Sequence, residues 1–471
     1  MKVLLYHWTP FYLPKEGGGI SVYLSNLIPA LCKVEELQIT TLSSGFKSNP
    51  IKKGVYIRQT KNPYSDYGCC SWEIINSPVI SPRLFHFRNP LLACEDNEVS
   101  DCFIDFVLKQ GGFDVIHFHS LEGLVPQVLK KTKEHFPKTQ IIFSVHDYHP
   151  ICPAIRLFNS RKSECCVDYK NGEECMNCVT ELPANKRYGV FFTRFCSDPY
   201  NKPFAGRLFR LLFRKKSSET CCLLARSSQP TAEHYSRYRS IHRDFLNQYA
   251  DAILTVSNRT GQVLKNYGIA QKNLRTSYIG TSVAEHATGH QVCMPASMFT
   301  IAYMGYANAE EKGFHFLVRS LEKLPIDIAN NIRLVVAARG ANKAALTKQL
   351  KYLKEVIVYD GYTHENLPKI LKDVHLGIVP VLWEDNLPQI AIEMVAHGVP
   401  ILASDAGGAS ELCTSPHFRF RCGDETDFLT KLSQIIRNPN ILHEYWKHHI
   451  GLTTMKMHIK ELIEIYNRNT P

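Results

Sequence analysis

Strand-like and helix-like periodicities alternate along this chain in two separate series, and no other feature constrains its fold as much. KVLLYHW, QITTLSS, DVIHFH and QIIFSVHD are short β-branched or aromatic runs. Segments that follow several of them, such as GISVYLSNLIPALCKV, space their apolar residues as a helix does. Strand, helix, strand in that order marks a parallel sheet, because a parallel neighbour is reached only through a crossover that must itself bury an apolar face. The alternation resumes with FTIAYMGY, RLVVAARG, EVIVYDGY, LGIVPVLW and VPILASD, with KGFHFLVRSLEKL and ENLPKILKD as helices between. The fold class expected is α/β, with two doubly wound domains. A chain of 471 residues is long enough to bury two such cores.

The boundary falls in GTSVAEHATGHQVCMPASMF, which has no clear period and is rich in small and polar residues. The expected division is a first domain over 1–285, a linker over 286–298, a second domain over 299–450, and a C-terminal helix over 451–471 packing back on the first domain. Residues 151–245 break the alternation before ADAILTVSN restores a strand, so they are expected to be an insertion in the first domain. The N-terminus has one short apolar run followed by Trp, Pro and a charged glycine loop, without the longer apolar region of a signal peptide. No stretch reaches 18 uncharged apolar residues, so a transmembrane helix is not expected. The expected location is cytoplasmic.

The formal charge of +11 is nearly all local. Between Lys186 and Arg243, 13 Lys or Arg stand against Asp198, Glu219 and Glu233, leaving +10 on that segment. RYGVFFTRF and GRLFRLLFRKK interleave those cations with Phe and Leu, a pattern suited to an anionic membrane surface. No nucleic-acid-binding module accompanies the charge, so nucleic acid is not an expected partner. The same insertion carries Cys152, Cys165, Cys166, Cys175 and Cys178, a CxxC knuckle with thiols upstream. They offer ligands for a structural zinc, and free thiols in a loop are the alternative, because the second knuckle of a zinc ribbon is missing.

In open parallel sheets, ligands bind beyond the carboxyl ends of the strands, where a helix N-terminus presents free N–H groups and about half a positive charge. Gly17, Gly18 and Gly19 occupy such a place after the first strand, and their backbone could approach a phosphate that a Cβ would exclude. GGGISV lacks the spaced third glycine of a dinucleotide fingerprint. Lys312 and Gly313 open a helix shortly after FTIAYMGY, where a cation can meet a phosphate. In WEDNLPQIAIEMVAHG, Asp385, Asn386 and Leu387 lie where a strand gives way to a helix. Glu393 is the one carboxylate inside that apolar helix, and a ribose diol is a natural partner for it.

Taken in order and spacing, the glycine loop, DVIHFH, SVHD, ADAILTVSN, the Lys-Gly helix start, DGYTHENLPKIL and WEDNLPQIAIEMVAHGVPILASDAGGASEL resemble the retaining glycosyltransferases of family four. That resemblance implies the GT-B fold, two Rossmann-like domains facing across a cleft, with a nucleoside-diphosphate sugar, linked to uridine or guanosine, bound mainly by the second. The family's acidic pair, two glutamates with seven residues between, falls on Asp385, an aspartate here, and Glu393, while Glu384 is one place out of register. The resemblance implies that Asp385 contacts the donor sugar and Glu393 the ribose. It implies that Lys312 neutralises the leaving diphosphate, that Gly17 to Gly19 lie against the phosphates, and that His146 stands beside the transferred sugar, with His119 and Asp147 as neighbours.

One position departs from the pattern. Six residues before the lysine the family has arginine, and this chain has Tyr306. Arg339, just beyond RLVVAA, could reach the same rim and replace it, and a solvated surface cation is the alternative. No Asp-x-Asp metal clamp stands at a strand end, so catalysis is expected to need no metal or other cofactor. The expected acceptor is a saccharide or a lipid-linked group, in surface polysaccharide or glycolipid synthesis at the inner face of a membrane. The alternatives are a sugar-nucleotide epimerase of the same fold and a nucleotide-sugar binder without catalysis.

Overall fold

The computed structural model of the chain describes residues 1–13, 18–49, 52–61, 63–81, 90–178, 194, 230–285, 287, 294–295 and 297–468. Its strands, in chain order, are β1 (Lys2–Tyr6), β2 (Gln38–Ser44), β3 (Tyr56–Gln59), β4 (Cys70–Ile75), β5 (Val115–Phe118), β6 (Gln140–Val145), β7 (Phe158–Asn159), β8 (Glu164–Cys165), β9 (Ala252–Thr255) and β10 (Leu274–Thr276). The second half adds β11 (Phe299–Tyr306), β12 (Ile332–Arg339), β13 (Glu355–Tyr359), β14 (Leu376–Val379), β15 (Ile401–Ser404) and β16 (Arg419–Phe420).

Eight strands form the first sheet, in the order β10-β9-β6-β5-β1-β2-β4-β3, parallel except for the edge pair β3 and β4. Six parallel strands form the second, in the order β13-β12-β11-β14-β15-β16. Each order doubles back beside its first strand, β1 or β11, and there neighbouring crossovers leave to opposite faces and open a crevice.

Strand β1 illustrates why the sequence folds this way. Val3 to Tyr6 are wholly buried, as a strand covered on both faces requires. With a period of two, Val3 and Leu5 join the cluster that holds Leu24, Leu27 and Leu31 of the helix Gly19–Cys32. Leu4 and Tyr6 join Val99, Phe103 and Val107 of the helix Asn97–Lys109 on the other side. That second helix starts where the Asp96 carboxylate accepts from Val99 N. Each fully buried Leu, Ile or Phe of these layers contributes roughly 2 kcal/mol, and Phe103→Ala would cost about 3–5 kcal/mol.

The cluster on the Val3 face continues into the core of the second half. The helix Met455–Tyr466 is part of the reason, since it returns to the first half. Its His458 Nε2 shares a 2.7 Å hydrogen bond with Tyr23 OH, its Tyr466 OH one of 2.8 Å with His117 Nδ1, and its Ile465 carbonyl accepts from Gln140 Nε2 at 3.0 Å.

The stretch 151–245 is not irregular to its end. Ala232–Tyr249 is an 18-residue helix that leads into β9, and it buries Tyr235, Tyr238, Arg239, His242 and Leu246. Its inner face mixes aromatic, His and Arg residues, which hides its period from a hydrophobicity pattern. Residues 151–178 form a small lobe with the β7–β8 hairpin and a short helix Glu173–Cys178, and it packs on the first half through Ile151, Ala154 and Leu157. Gly17, most of the linker 286–298, and most of the basic segment, including Phe209, Arg210 and Lys215, lie outside the described residues. Among the described residues no helix is long and apolar enough to cross a membrane.

Candidate active site

Three adjacent parallel strands of the first sheet each release an imidazole at the carboxyl end: His7 after β1, His119 after β5 and His146 after β6. His119 Nδ1 and His146 Nε2 share a hydrogen bond at 3.1 Å. Beneath them His117 lies 4.1 Å from the His119 ring and is fixed by Ser144 Oγ at 2.7 Å. The Tyr23 ring packs 5.1 Å from His146. Burial, and then the neighbouring imidazoles, push His7 and His146 down to about 3 and His117 and His119 well below the usual histidine range. These rings are neutral at pH 7, so they exchange hydrogen bonds with hydroxyls rather than neutralise anions. Among the described residues, both nitrogens of His7 and the Nε2 of His119 have no partner, an expensive condition in a buried place unless a ligand supplies one. Asp147 Oδ1 accepts from His149 N at 2.9 Å and so shapes the turn after β6.

The second sheet presents charge. Lys312 Nζ donates to Asp385 Oδ2 at 2.7 Å and lies 4.9 Å from the Trp383 ring centroid. Gly313 makes that turn: its φ is +75°, and a Cβ there would come 1.7 Å from the Pro380 carbonyl oxygen. Glu393 is buried, as its place inside an apolar helix requires, and it is hydrogen-bonded. Tyr362 OH donates to its Oε2 at 2.6 Å, and His364 Nε2 is 3.2 Å from its Oε1. Burial and the Glu393 carboxylate hold the Tyr362 hydroxyl protonated, and the same carboxylate raises the His364 pKa.

Tyr306 is half exposed at the end of β11, and in the parallel register it is the partner of Arg339 on β12. The two side chains therefore start about 5 Å apart on one rim. Arg339 also runs along Gly361, where a Cβ would meet its Cγ at 3.0 Å.

The two halves meet at these strand ends. Asn386 Nδ2 donates to the carbonyl of Val145, the residue before His146, at 3.1 Å. Gln389 Nε2, on the first residue of its helix, donates to the Gly19 carbonyl at 2.9 Å. The helices that start at Gly19 and Gln389 thus bring their N-termini together, and their dipoles favour an anion between them. Gly18 precedes the first of these at φ +66° and ψ −140°, a conformation open chiefly to glycine, and Leu387 is buried. A narrow cleft opens between the halves beside Tyr23, Asn26, Thr281, His364, Gln389 and Glu393.

A second set of bonds locks the junction. Glu384, one residue before Asp385, is buried and takes both Nε and Nη2 of Arg259, the former at 2.8 Å. It also accepts from Gly407 N at 3.0 Å. Glu411 caps the helix Asn258–Asn266 of the other half, accepting from Asn258 N at 3.0 Å and Arg259 N at 2.5 Å. The Gly407–Gly408 pair permits this approach, since a Cβ on Gly407 would lie 2.1 Å from the Asp385 carbonyl oxygen.

His7, Arg259, Tyr362, His364 and Gln389 are absent from the residues singled out by sequence, and Glu384 enters there only as one place out of register. His7, at the end of KVLLYHW, carried the same strand-end signal as His146. The others depend on which loops meet.

The cysteines divide. Cys152, Cys166, Cys175 and Cys178 line one small pocket, whereas Cys165 is not among the residues that line it and lies near Cys422 and Glu384. Among the described residues no three thiol, imidazole or carboxylate groups already stand as a metal site.

Residues 298–438 match the family model of glycosyl transferases group 1. Protein CapJ of Staphylococcus aureus is 26% identical over 148 residues, 31% of this chain and 36% of CapJ's own length. Among solved structures, sucrose-phosphate synthase from Thermosynechococcus elongatus matches with a TM-score of 0.58 at 14% identity, over 99% of this chain and 98% of that one. The lipopolysaccharide outer core galactosyltransferase WaaB matches at 0.56 and 12% identity over 98% of both chains. Anabaena HepE, solved with UDP, matches at 0.55 and 11% identity over 99% of both. At such identities the likeness is one of fold, and it agrees with the two facing sheets: the architecture is GT-B.

Proposed function

We propose that this chain is a retaining glycosyltransferase of family four. It would move a sugar from a nucleoside-diphosphate sugar to a saccharide or lipid-linked acceptor. The observation that carries this reading is the junction of the halves. There Asn386 and Gln389 hold the Lys312–Asp385 loop system against the strand end bearing His146 and the helix start at Gly19.

In this reading the diphosphate lies between the two helix N-termini with Lys312 on its charge, and the ribose diol meets Glu393. The bond from the anomeric carbon to the phosphate oxygen breaks, and its electron pair leaves with the diphosphate. The acceptor hydroxyl attacks the same face of the sugar cation and gives its proton to the departing phosphate oxygen. Lys312 and the helix termini offer positive potential where negative charge develops, a contribution of roughly 3 kcal/mol for each well-placed donor. Neutral His146, with His119 behind it, and Asp385 hold sugar hydroxyls. None of these steps requires a metal ion. HepE, of the same fold, has been solved with UDP and with UDP-glucose, which supports a nucleoside-diphosphate sugar as donor, linked to uridine or guanosine. The basic segment supports work at an anionic membrane surface on the cytoplasmic side.

Tyr306 in place of arginine favours a second reading, a nucleotide-sugar binder without transfer. One experiment separates the two. Uridine and guanosine diphosphate sugars are screened for thermal stabilisation, and the hits are incubated with saccharide and lipid acceptors. Release of the nucleoside diphosphate with an acceptor-linked product of unchanged anomeric configuration supports transfer. Stabilisation without product supports the binder, and no stabilisation by any nucleotide sugar overturns both.

A further inference from the structure

The lobe 151–178 sends Ile151, Ala154, Leu157 and Phe158 into the cores beside it, but beyond them it has only short regular elements, and its backbone is strained. Of the six non-glycine residues with positive φ among the described residues, Ile155, Leu157, Ser163, Lys170 and Asn171 all lie in it. For branched Ile155 and Leu157 that conformation persists only when the surroundings over-determine it. Its two strands have two residues each and its helix Glu173–Cys178 has six. Lobes so small are ordinarily held by disulfides or a metal.

Four thiols converge inside it. Cys175 and Cys178, three apart on the short helix, share a face. Cys152 comes from the turn after β6, and Cys166 from the end of the β7–β8 hairpin. All four line the same cavity.

The cavity also contains a cation. Arg239 is 5% exposed, stacks 3.9 Å from the Tyr169 ring, and spends Nε and Nη1 on the carbonyls of Ile151 and Tyr235. Its Nη2 points at Cys175 Sγ, 2.9 Å away. A buried guanidinium calls for negative charge. Four thiolates on a divalent ion would supply it as a site of net charge −2, with Arg239 as the outer partner that such ligands require.

We propose that Cys152, Cys166, Cys175 and Cys178 bind one structural zinc ion, backed by Arg239, and that Cys165 is not a ligand. Zinc suits four thiolates in a closed tetrahedron that leaves no open position for catalysis. The thiols turn inward about their Cα–Cβ bonds to reach the ion, and each releases its proton to solvent as its S–Zn bond forms. The ion would fix the strained loop whose Arg156, set between Ile155 and Leu157, reaches across to Glu311 Oε1 at 2.5 Å, next to Lys312.

The full-length protein, purified without chelator, should contain one equivalent of zinc by elemental analysis and should gain the mass of one zinc ion in native mass spectrometry. Stripping the ion from the folded wild-type protein should expose four further thiols to a thiol reagent, and zinc alone should protect them again. Cys165→Ser should keep the metal. Arg239→Met, which leaves all four ligands in place, should weaken zinc retention about tenfold or more. Zinc below ~0.1 equivalent after reconstitution, disulfides among the four cysteines, iron in place of zinc, or loss of the metal in Cys165→Ser would each overturn the assignment.

Discussion

Lys312 Nζ stands 2.7 Å from Asp385 Oδ2, in a pair whose side chains are 27% and 9% exposed. The lysine belongs to the turn after β11 and the aspartate to the loop after β14, neighbouring strands at the switch point of the second sheet. In the proposed function, a diphosphate entering there would compete with Asp385 for the ammonium and free the carboxylate to accept from a sugar hydroxyl. Lys312→Ala is therefore expected to lower kcat by about 10²–10³ with the fold retained, because a preorganised cation is lost where charge develops. Steady-state assays of nucleoside diphosphate release check this. A change of less than threefold would take Lys312 out of the reaction.

The register pair Tyr306 and Arg339 makes a separate claim. If Arg339 supplies the cation absent at 306, Arg339→Ala should raise the donor KM about tenfold, near 1.4 kcal/mol of binding. Tyr306→Arg in that background should restore much of it. A double variant no better than Arg339→Ala would show that the rim does not hold phosphate.

Glu393→Gln should weaken nucleoside diphosphate binding, read by calorimetry, about tenfold through loss of a charge-assisted hydrogen bond. It should also return His364 toward the ordinary histidine pKa, seen by NMR titration, because the carboxylate is what raises it. A raised imidazole pKa lends stability that is present below the unfolded value and is lost as pH rises through the folded one. With its side chain half exposed, that stabilisation is expected to be small.

Acid should destabilise the protein through the first half. His7 and His146 are held at about 3 and His458 at about 4, all by burial first. Between these values and the unfolded value near 6.5 the unfolded chain binds more protons, so stability falls as pH falls through that window, by about 1.4 kcal/mol per pH unit for each imidazole. Urea midpoints measured from pH 7 to pH 4 should drop steeply below pH 6.5. His146→Asn should flatten the curve, and a midpoint constant down to pH 5 would contradict the buried, neutral assignment.

Gly407→Ala should cost about 2–4 kcal/mol and loosen donor binding, since the methyl strains a positive φ and strikes the Asp385 carbonyl. Gly423→Ala has a similar φ but open space around it, and it should cost only about 1 kcal/mol. Equal thermal shifts for the two would mean that contact with the Asp385 loop is unimportant.

Local pattern was enough for the layers. The apolar runs of β1, β5, β6, β11 and β12 are continuous because both faces of a parallel strand are covered, and that requirement is written in adjacent residues. Lys312 and Asp385 were legible as candidates for a related reason, since strand-to-helix turns announce themselves by glycine, proline and a change of period, and Glu393 because a single carboxylate inside an apolar helix stands out. Pairings between distant segments left no such mark. Glu384 and Asp385 are neighbours of like charge in the sequence, yet one faces Arg259 across the junction and the other Lys312 within the second sheet. Which neighbour takes which cation depends on how the backbone turns between them, and Gly407 permits that turn from 22 or more residues away. The same holds for the thiols: Cys165 and Cys166 are adjacent, but in a strand successive side chains point to opposite sides, so the hairpin's register decides that Cys166 joins the cavity while Cys165 turns toward Cys422. Sequence alone determined the kinds of element and the ends at which chemistry could sit. Packing decided which of those ends meet, because a contact between distant residues is selected by the shape and charge of both surfaces and is encoded in neither segment by itself.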